Sequence, residues 1–123
     1  MAITWLKKYE ESGKATLGKN YMVINKSFSN KFNQAYMAAV GIDENNNLLI
    51  KPLSLDECES PLYRDSFLVK ISCFDTYVRL GNVMSMKVIS ESLKLEIPKE
   101  GLKFNTSWLD NEKALKIEIN GGQ

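Results

Sequence analysis

The sequence predicts a β-rich α+β fold in which a β-α-β-β unit occurs twice, with a short helix before the first unit. Apolar stretches of strand length alternate with clusters of Asn, Asp, Gly and Ser, and two of these clusters, 43–47 and 110–113, have the composition of hairpin turns. Similar elements precede each turn in similar order. Because 123 residues is an ordinary size for one domain, we expect residues 1–123 to form a single barrel-like domain.

The first half of the chain predicts a helix followed by four strands. A helix over Thr4–Glu11 begins at a capping threonine, and Ser12-Gly13 ends it. The strands are expected at 15–17, 21–24, 36–42 and 48–50, with a helical turn at 27–32 after the second strand. The turn 43–47 makes the last two strands a hairpin.

The second half is expected to begin with an acidic segment, 54–66, which has no clear period and contains Pro61. We interpret it as a linker or long loop. The sequence then predicts strands at 67–74 and 76–80, a turn at Gly81-Asn82 and a strand at 86–89. A short helix capped by Ser90 follows over 90–97, and strands at 101–109 and 114–119 close the chain.

The two halves can be superposed as internal repeats. At an offset of 67, Ile42-Asp43 falls on Leu109-Asp110 and Leu48 falls on Leu115; at an offset of 65, Val23-Ile24 falls on Val88-Ile89. The repeats would span about 15–53 and 78–120, joined by the linker and strand of 54–77. The alternative is that any two hairpins in a β-rich chain can be aligned in this way.

Charge is unevenly distributed although the net charge is only +1. No Asp or Glu occurs from Ser12 to Gly41, a stretch that contains Lys14, Lys19, Lys26 and Lys31, whereas 42–66 is acidic. This segregation predicts a basic face on a nearly neutral molecule. Chance clustering of solvated lysines is the competing explanation.

The residues needed for common catalytic and metal sites are missing from the sequence. There is no histidine and no Gly-rich phosphate loop, and the spacing of Cys58 and Cys73 fits no common zinc site. The acidic pairs Asp43-Glu44 and Asp56-Glu57 are expected to be solvated. We therefore expect no enzyme activity, metal or cofactor, and two buried or half-buried free thiols.

No apolar stretch is long enough to cross a membrane, and the charged N-terminal region does not resemble a signal peptide. A cytoplasmic location is expected by elimination. The aromatic residues admit two interpretations, since a small domain needs them in its core, yet exposed rings beside lysines stack on nucleobases. We expect the core interpretation for Trp5, Tyr9, Tyr21, Tyr36, Tyr63, Tyr77 and Trp108.

The segments YMVINKSFSNKFNQAYMAAVGIDENNNLLIKPL and MKVISESLKLEIPKEGLKFNTSWLDNEKALKIEI resemble the AbrB-like swapped-hairpin family in the order of their elements. A chain with two such units resembles MraZ-type proteins, in which one chain supplies both. The aspartate followed by arginine that marks MraZ proteins is missing from Ser27 to Phe32, and the first unit has no arginine. The resemblance implies a DNA-binding transcriptional regulator.

On this interpretation, lysines of the first unit and two residues of the second would contact the phosphates of double-stranded DNA. These residues are Lys14, Lys19, Lys26, Lys31, Arg79 and Lys87. The alternative is a non-catalytic β-rich interaction or assembly module of phage or mobile-element type, which has no nucleic-acid role. Such a module would form homo-oligomers through unpaired strand edges or exposed apolar surface.

Overall fold

The computed structural model describes residues 2–5 and 13–119. Eight strands between Lys14 and Ile117 form one closed β-barrel. The eight strands are β1 (Lys14–Leu17), β2 (Met22–Asn25), β3 (Met37–Ile42), β4 (Leu48–Leu53), β5 (Leu68–Cys73), β6 (Tyr77–Leu80), β7 (Leu102–Leu109) and β8 (Ala114–Ile117). The helices are α1 (Lys26–Ser29), α2 (Leu55–Glu59) and α3 (Val83–Leu93), and a 3₁₀ helix, Asn30–Phe32, follows α1.

Around the barrel the strands follow the order β1-β2-β6-β5-β3-β4-β8-β7, and β7 pairs with β1 to close the ring. Every neighbouring pair is antiparallel. The closing register places Lys14 opposite Asn105 and Leu17 opposite Leu102. The sheet of described strands therefore has no free edge.

Alternate residues of each strand point into the barrel and fill it. On β1 the buried residues are Ala15 and Leu17, and the flanking Lys14 and Thr16 face outward. The same alternation gives the fully buried strand residues Met22, Ile24, Ala38, Leu48, Ile50, Val78, Leu80, Leu115 and Ile117. An eight-stranded barrel has an interior just wide enough for its own side chains. The centre is thus a packed core rather than a channel.

Helical segments cross the two ends of the barrel. β2 and β3 are not neighbours, so α1 and the 3₁₀ helix carry the chain across one end, where Phe32 is fully buried. We call this the α1 end. β6 and β7 are not neighbours either, and α3 carries the chain across the opposite end, the α3 end, where Met86, Ile89 and Leu93 join the core.

The prediction of a β-rich barrel is confirmed, as are both hairpins and the strands expected at 15–17, 21–24, 67–74 and 76–80. The first hairpin turns where the Asp43 carboxylate accepts hydrogen bonds from the backbone N–H groups of Asn45 (2.9 Å) and Asn47 (2.8 Å). Asn46 adopts a φ of 64°, which asparagine tolerates. Of the predicted helix Thr4–Glu11, only Thr4 and Trp5 are among the described residues, and they have no regular secondary structure. The remainder of this prediction lies outside the described residues.

The predicted strand 86–89 and the predicted helix 90–97 are both wrong, because one helix, α3, occupies 83–93. Asn82 caps it: the Asn82 side chain accepts from the Ser85 N–H at 2.9 Å, and the Ser85 hydroxyl accepts from the Asn82 N–H at 2.7 Å. The preceding Gly81 has a φ of 84°, where a β-carbon would meet Ser85 Oγ at 2.6 Å. The superposition of Val23-Ile24 on Val88-Ile89 is therefore also wrong, since it pairs a strand with a helix.

The predicted loop 54–66 contains a helix, α2. Ser54 and Glu57 form a capping box, in which Ser54 Oγ accepts from the Glu57 N–H at 3.2 Å and Glu57 Oε1 accepts from the Ser54 N–H at 3.0 Å. The first turn contains two acidic residues, Asp56 and Glu57, whose negative charges interact favourably with the positive end of the helix dipole. The acidity of this segment thus helps to stabilise a helix.

The pattern of burial along α3 predicts which substitutions destabilise the protein, and this pattern differs between a helix and a strand at 86–89. Met86→Ala and Ile89→Ala should each lower the free energy of unfolding by about 2–5 kcal/mol, because both side chains are buried. Val88→Ala should change it by less than about 1 kcal/mol, since Val88 is exposed. Urea denaturation measures all three. A strand would place Met86 and Val88 on one face, so equal losses at these two positions would contradict the helix.

The Asp43 turn gives a prediction on pH dependence. Backbone hydrogen bonding, from Asn47 above all, holds the pKa of Asp43 below its usual value of 3.8. A carboxyl group with a lowered pKa in the folded state stabilises the fold above its unfolded pKa, and this contribution disappears as the pH falls through the folded pKa. Asp43→Ala should therefore lower the urea midpoint at pH 7, and the difference from the unsubstituted protein should narrow below about pH 4.

The control is Asp110→Ala in the other hairpin turn, because the Asp110 carboxylate accepts no hydrogen bond from the described residues. Its effect on the urea midpoint should be small and should not follow the pH profile of Asp43→Ala. A constant difference for Asp43→Ala from pH 7 to pH 3 would contradict the proposed role of the ionised carboxylate.

Candidate nucleic-acid interface

The charged residues within the barrel strands are all basic. The eight strands contain Lys14, Lys51, Lys70, Arg79, Lys103 and Lys116, and no Asp or Glu. The flanking buried residues fix the direction of each side chain: Arg79 lies between Val78 and Leu80, and Lys116 lies between Leu115 and Ile117. Alternation therefore points these side chains to the outside.

Four of these residues occupy consecutive strands, β4, β8, β7 and β1. We call Lys14, Lys51, Lys103 and Lys116 the basic wall. Lys14 lies opposite Asn105, two residues from Lys103, and Lys116 lies opposite Leu49, two residues from Lys51. Diagonal neighbours on one sheet face are about 7–8 Å apart. The basic wall thus consists of two neighbouring lysine pairs, Lys14 with Lys103 and Lys51 with Lys116. Ser107, the partner of Lys116 on β7, is four residues from Lys103.

Two lysines of the basic wall are held by neighbouring oxygen atoms. Lys14 Nζ donates to the Asn105 side-chain oxygen, and Lys51 Nζ donates to the Glu112 carbonyl oxygen at 2.6 Å. An ammonium group has three donors, so each keeps two for a ligand. Glu118 follows β8, and its N–H donates to the Asn105 carbonyl. An acidic residue therefore lies between the Lys14–Lys103 pair and the Lys51–Lys116 pair.

The structure does not bring the predicted site residues together on one face. Only Lys14 belongs to the basic wall. Lys19 lies exposed in the β1–β2 turn at the α3 end, and Lys31 lies exposed at the opposite, α1 end. Arg79 is on β6, four positions around the ring from β8, and Lys87 is exposed on α3. Lys26 begins α1, and its side chain lies outside the described part of the structure.

Lys31 borders a groove of about 450 Å³ at the α1 end. Its Nζ atom lies 5.0 Å from the centre of the Trp108 ring. The other charged residues that line this groove are Lys51, Lys113, Glu57 and Asp110. Because acidic and basic groups are mixed here, the groove is a weaker site for a polyanion than the basic wall.

Arg79 forms a separate cluster with three aromatic rings, Tyr21, Phe74 and Tyr77, which we call the Arg79 cluster. The guanidinium carbon of Arg79 is 4.9 Å from the centre of the Tyr21 ring and 5.3 Å from that of Phe74. The rings of Phe74 and Tyr77 stack at 4.7 Å with an interplanar angle of 15°. Both distances to Arg79 are within the range of cation–π attraction.

The core interpretation of the aromatic residues is wrong for several of them. Trp5 is 82% exposed, Tyr36 is 54% exposed and Tyr21 is 39% exposed. The rings that serve the core are Phe32, which is fully buried, and the partly buried Phe28, Phe104 and Trp108. Tyr21 and Tyr36 therefore lie at the surface of this barrel, whereas Phe28 and Phe32 pack at its α1 end.

The expectation of two buried or half-buried thiols is correct for Cys58, which is half-buried, but not for Cys73, which is exposed. Burial and the nearby Glu57 carboxylate raise the pKa of Cys58. A raised pKa reduces the thiolate fraction at neutral pH, which makes this thiol a poor nucleophile. In residues 2–5 and 13–119, no group of three or more His, Cys, Asp or Glu side chains is arranged to hold a metal ion.

The strand lysines Lys51, Lys103 and Lys116 were not predicted as site residues. Their sequence signal was a lysine between apolar residues at the two-residue period of a strand, as in Leu115-Lys116-Ile117. That pattern places the lysine outside the barrel, but it does not show which strands are neighbours. The ring order was needed to bring them together.

Comparisons of this chain with family models, curated proteins and solved structures found no match. None of the helices in the part of the chain that the structure describes has the length and apolar character needed to cross a membrane.

Proposed function

We propose that this chain is a non-catalytic DNA-binding protein, a cytoplasmic transcriptional regulator of the AbrB or MraZ type, which contacts phosphates through the basic wall. The observation that supports the proposal most is the exclusively basic charge of the strands. Phosphate contacts dominate the affinity of proteins for DNA, and lysine supplies them without reading sequence. The two lysine pairs of the wall supply the positive charge that such contacts need.

Structural protection does not explain these lysines. Lysine on a strand often prevents edge-to-edge association of sheets. In this barrel β7 pairs with β1, so the described sheet has no edge to protect. The outward lysines on β4, β8, β7 and β1 therefore either bind a ligand or only increase solubility. The absence of acidic residues from the same strands favours a ligand.

The strand order supports the tandem, AbrB-like part of the proposal. If β1–β4 exchange numbers with β5–β8, the order β1-β2-β6-β5-β3-β4-β8-β7 describes the same ring. Each half then reads strand, strand, helix, strand, strand, with α1 in the first and α3 in the second. We propose units of 14–53 and 68–117, so that β5 begins the second unit and the β6-α3-β7-β8 order repeats β2-α1-β3-β4.

The proposal predicts a steep dependence of DNA affinity on salt. In a shift assay with double-stranded DNA, the logarithm of the binding constant should fall linearly with the logarithm of the salt concentration. The double variant Lys103→Gln/Lys116→Gln should bind more weakly, and the slope should become shallower by about 1.8, at roughly 0.9 per phosphate contact.

A charge-matched control is Lys94→Gln/Lys113→Gln, which removes two exposed lysines outside the basic wall. Its slope should equal that of the unsubstituted protein. Absence of DNA retention at low salt would overturn the proposed function. Equal weakening by both double variants would show that binding depends on net charge and would remove the basic wall from the proposal.

A second function, the protein-interaction or assembly module, is favoured by an exposed apolar patch at the α3 end. Val83, Met84 and Val88 of α3 are 58%, 67% and 42% exposed. Val88 also lines a groove of about 260 Å³ together with Ile42 and Phe67. Contiguous exposed apolar surface marks interaction sites. Since the barrel has no free strand edge, this patch is the route by which copies of the chain would associate.

The module predicts association that depends on this patch. The average mass from light scattering should rise with protein concentration, and Val88→Asp should abolish the rise because it places a charge in the apolar contact. Lys87→Asp, one residue away on the exposed side of α3, serves as the control and should leave the association intact. A constant monomer mass over the accessible concentration range would contradict the module.

A further inference from the structure

The Arg79 cluster lies on the outer face of three neighbouring strands, β2, β6 and β5, on the opposite side of the ring from β8. Arg79 is directly opposite Val23 on β2 and Ser72 on β5. Tyr21 precedes β2 and Phe74 follows β5, so the two rings flank Arg79 along a diagonal of the sheet. The cluster therefore shares no strand with the basic wall.

The rings of the cluster are available to a ligand. Tyr21 is 39% exposed and Phe74 is 43% exposed, although both are large enough to contribute substantially to a core. Their contacts with Arg79 and the Phe74–Tyr77 stack fix their orientation on the surface. A fixed ring loses little conformational entropy on binding, which favours stacking with a planar ligand.

The cluster has more basic than acidic residues around it; its one acidic neighbour in sequence is Asp75, in the turn between Phe74 and Tyr77. Arg79 is positioned by two aromatic rings, and no described carboxylate forms an ion pair with it. Lys70 is a diagonal neighbour on β5, since its carbonyl oxygen accepts from the Gly81 N–H at 3.1 Å. Lys19 lies in the turn that leads to Tyr21 and lines a groove with this ring, together with Lys99 and Glu100.

We propose that the Arg79 cluster binds single-stranded nucleic acid. Bases would stack on the faces of Tyr21 and Phe74, and the phosphates between them would contact Arg79, Lys70 and Lys19. Exposed aromatic rings in a positively charged surface are the features that proteins use for this ligand. A duplex keeps the faces of its bases stacked on one another, so the rings select unpaired bases. This site is independent of the basic wall and of the duplex binding proposed there.

The test is the fluorescence anisotropy of a fluorescein-labelled dT15 oligonucleotide titrated with the full chain at about 50 mM salt. Tyr21→Ala and Phe74→Ala should each weaken binding by about 5- to 150-fold, the loss expected for one stacked base. Tyr21→Phe should retain the affinity because it keeps the ring. Arg79→Gln should weaken binding and reduce its dependence on salt.

Two controls make the outcome decisive. Tyr36→Ala removes an exposed tyrosine at the α1 end and should leave the dT15 affinity within about twofold, in keeping with the small effect of surface substitutions. Lys103→Gln/Lys116→Gln, which weakens duplex binding in the proposed function, should also leave dT15 binding nearly unchanged. Thermal unfolding followed by circular dichroism verifies that each variant is folded.

Three results would overturn the inference: no binding of dT15, equal loss from Tyr36→Ala and Tyr21→Ala, or loss of dT15 binding in the wall variant. The proposed duplex binding can fail while dT15 binding remains, and the reverse can also occur. The duplex titration therefore tests the basic wall, and the dT15 titration tests the Arg79 cluster independently.

Discussion

The pairing of β1 with β7 is the constraint on which the rest of the structure depends. It joins two strands that are far apart in sequence, with Leu17 opposite Leu102, and turns a twisted sheet into a ring. Once the ring is closed, every strand has a partner on both sides. The backbone N–H and C=O groups of the strands can therefore form hydrogen bonds within the sheet. Side chains at alternate positions then have only two environments, a small interior and an outer surface. The interior needs apolar residues, and the outer surface is left free to carry charge.

Closure of the ring leaves two open ends, and the chain uses its crossing segments to cover them. The connections from β2 to β3 and from β6 to β7 must each pass over two intervening strands. Both contain helices, and both deliver apolar side chains to the core: Phe32 from the α1 end and Met86 and Ile89 from the α3 end. A connection that is required by the topology therefore also completes the packing. This explains why a helix forms at 86–89, where the local sequence alone favours a strand.

The strands and hairpins were predictable because their signals are local. Turn residues such as Asp43 and Asn46 act within four residues, and the alternation in Leu115-Lys116-Ile117 is visible without knowing the partner strand. Helix α3 was not predicted, because the β-branched pair Val88-Ile89 favours a strand locally, whereas burial of Met86, Ile89 and Leu93 at helical spacing against the barrel end decides the outcome. The capping signal Ser54 with Glu57 was present in the sequence and indicates α2, whereas Asn82 is a favoured capping residue but Ser85 is not the Glu or Gln of that signature. Which lysines are neighbours depended on ring order, for which the sequence has no local signal.

The distribution of charge has a different meaning in the folded chain than along the sequence. The acid-free stretch from Ser12 to Gly41 indicated a basic face, but its lysines separate to the wall and to both ends of the barrel. The set that does share a surface is discontinuous in sequence: Lys14, Lys51, Lys103 and Lys116 come from four strands that the ring order makes neighbours. Acidic residues occupy turns and helices instead, where Asp43 bonds turn amides and Glu57 caps α2. The net charge of +1 is therefore the sum of positively charged strands and of turns and helices that are negatively charged overall. Long-range attraction of a polyanion depends on the local electrostatic field of the basic wall and not on the net charge of the protein.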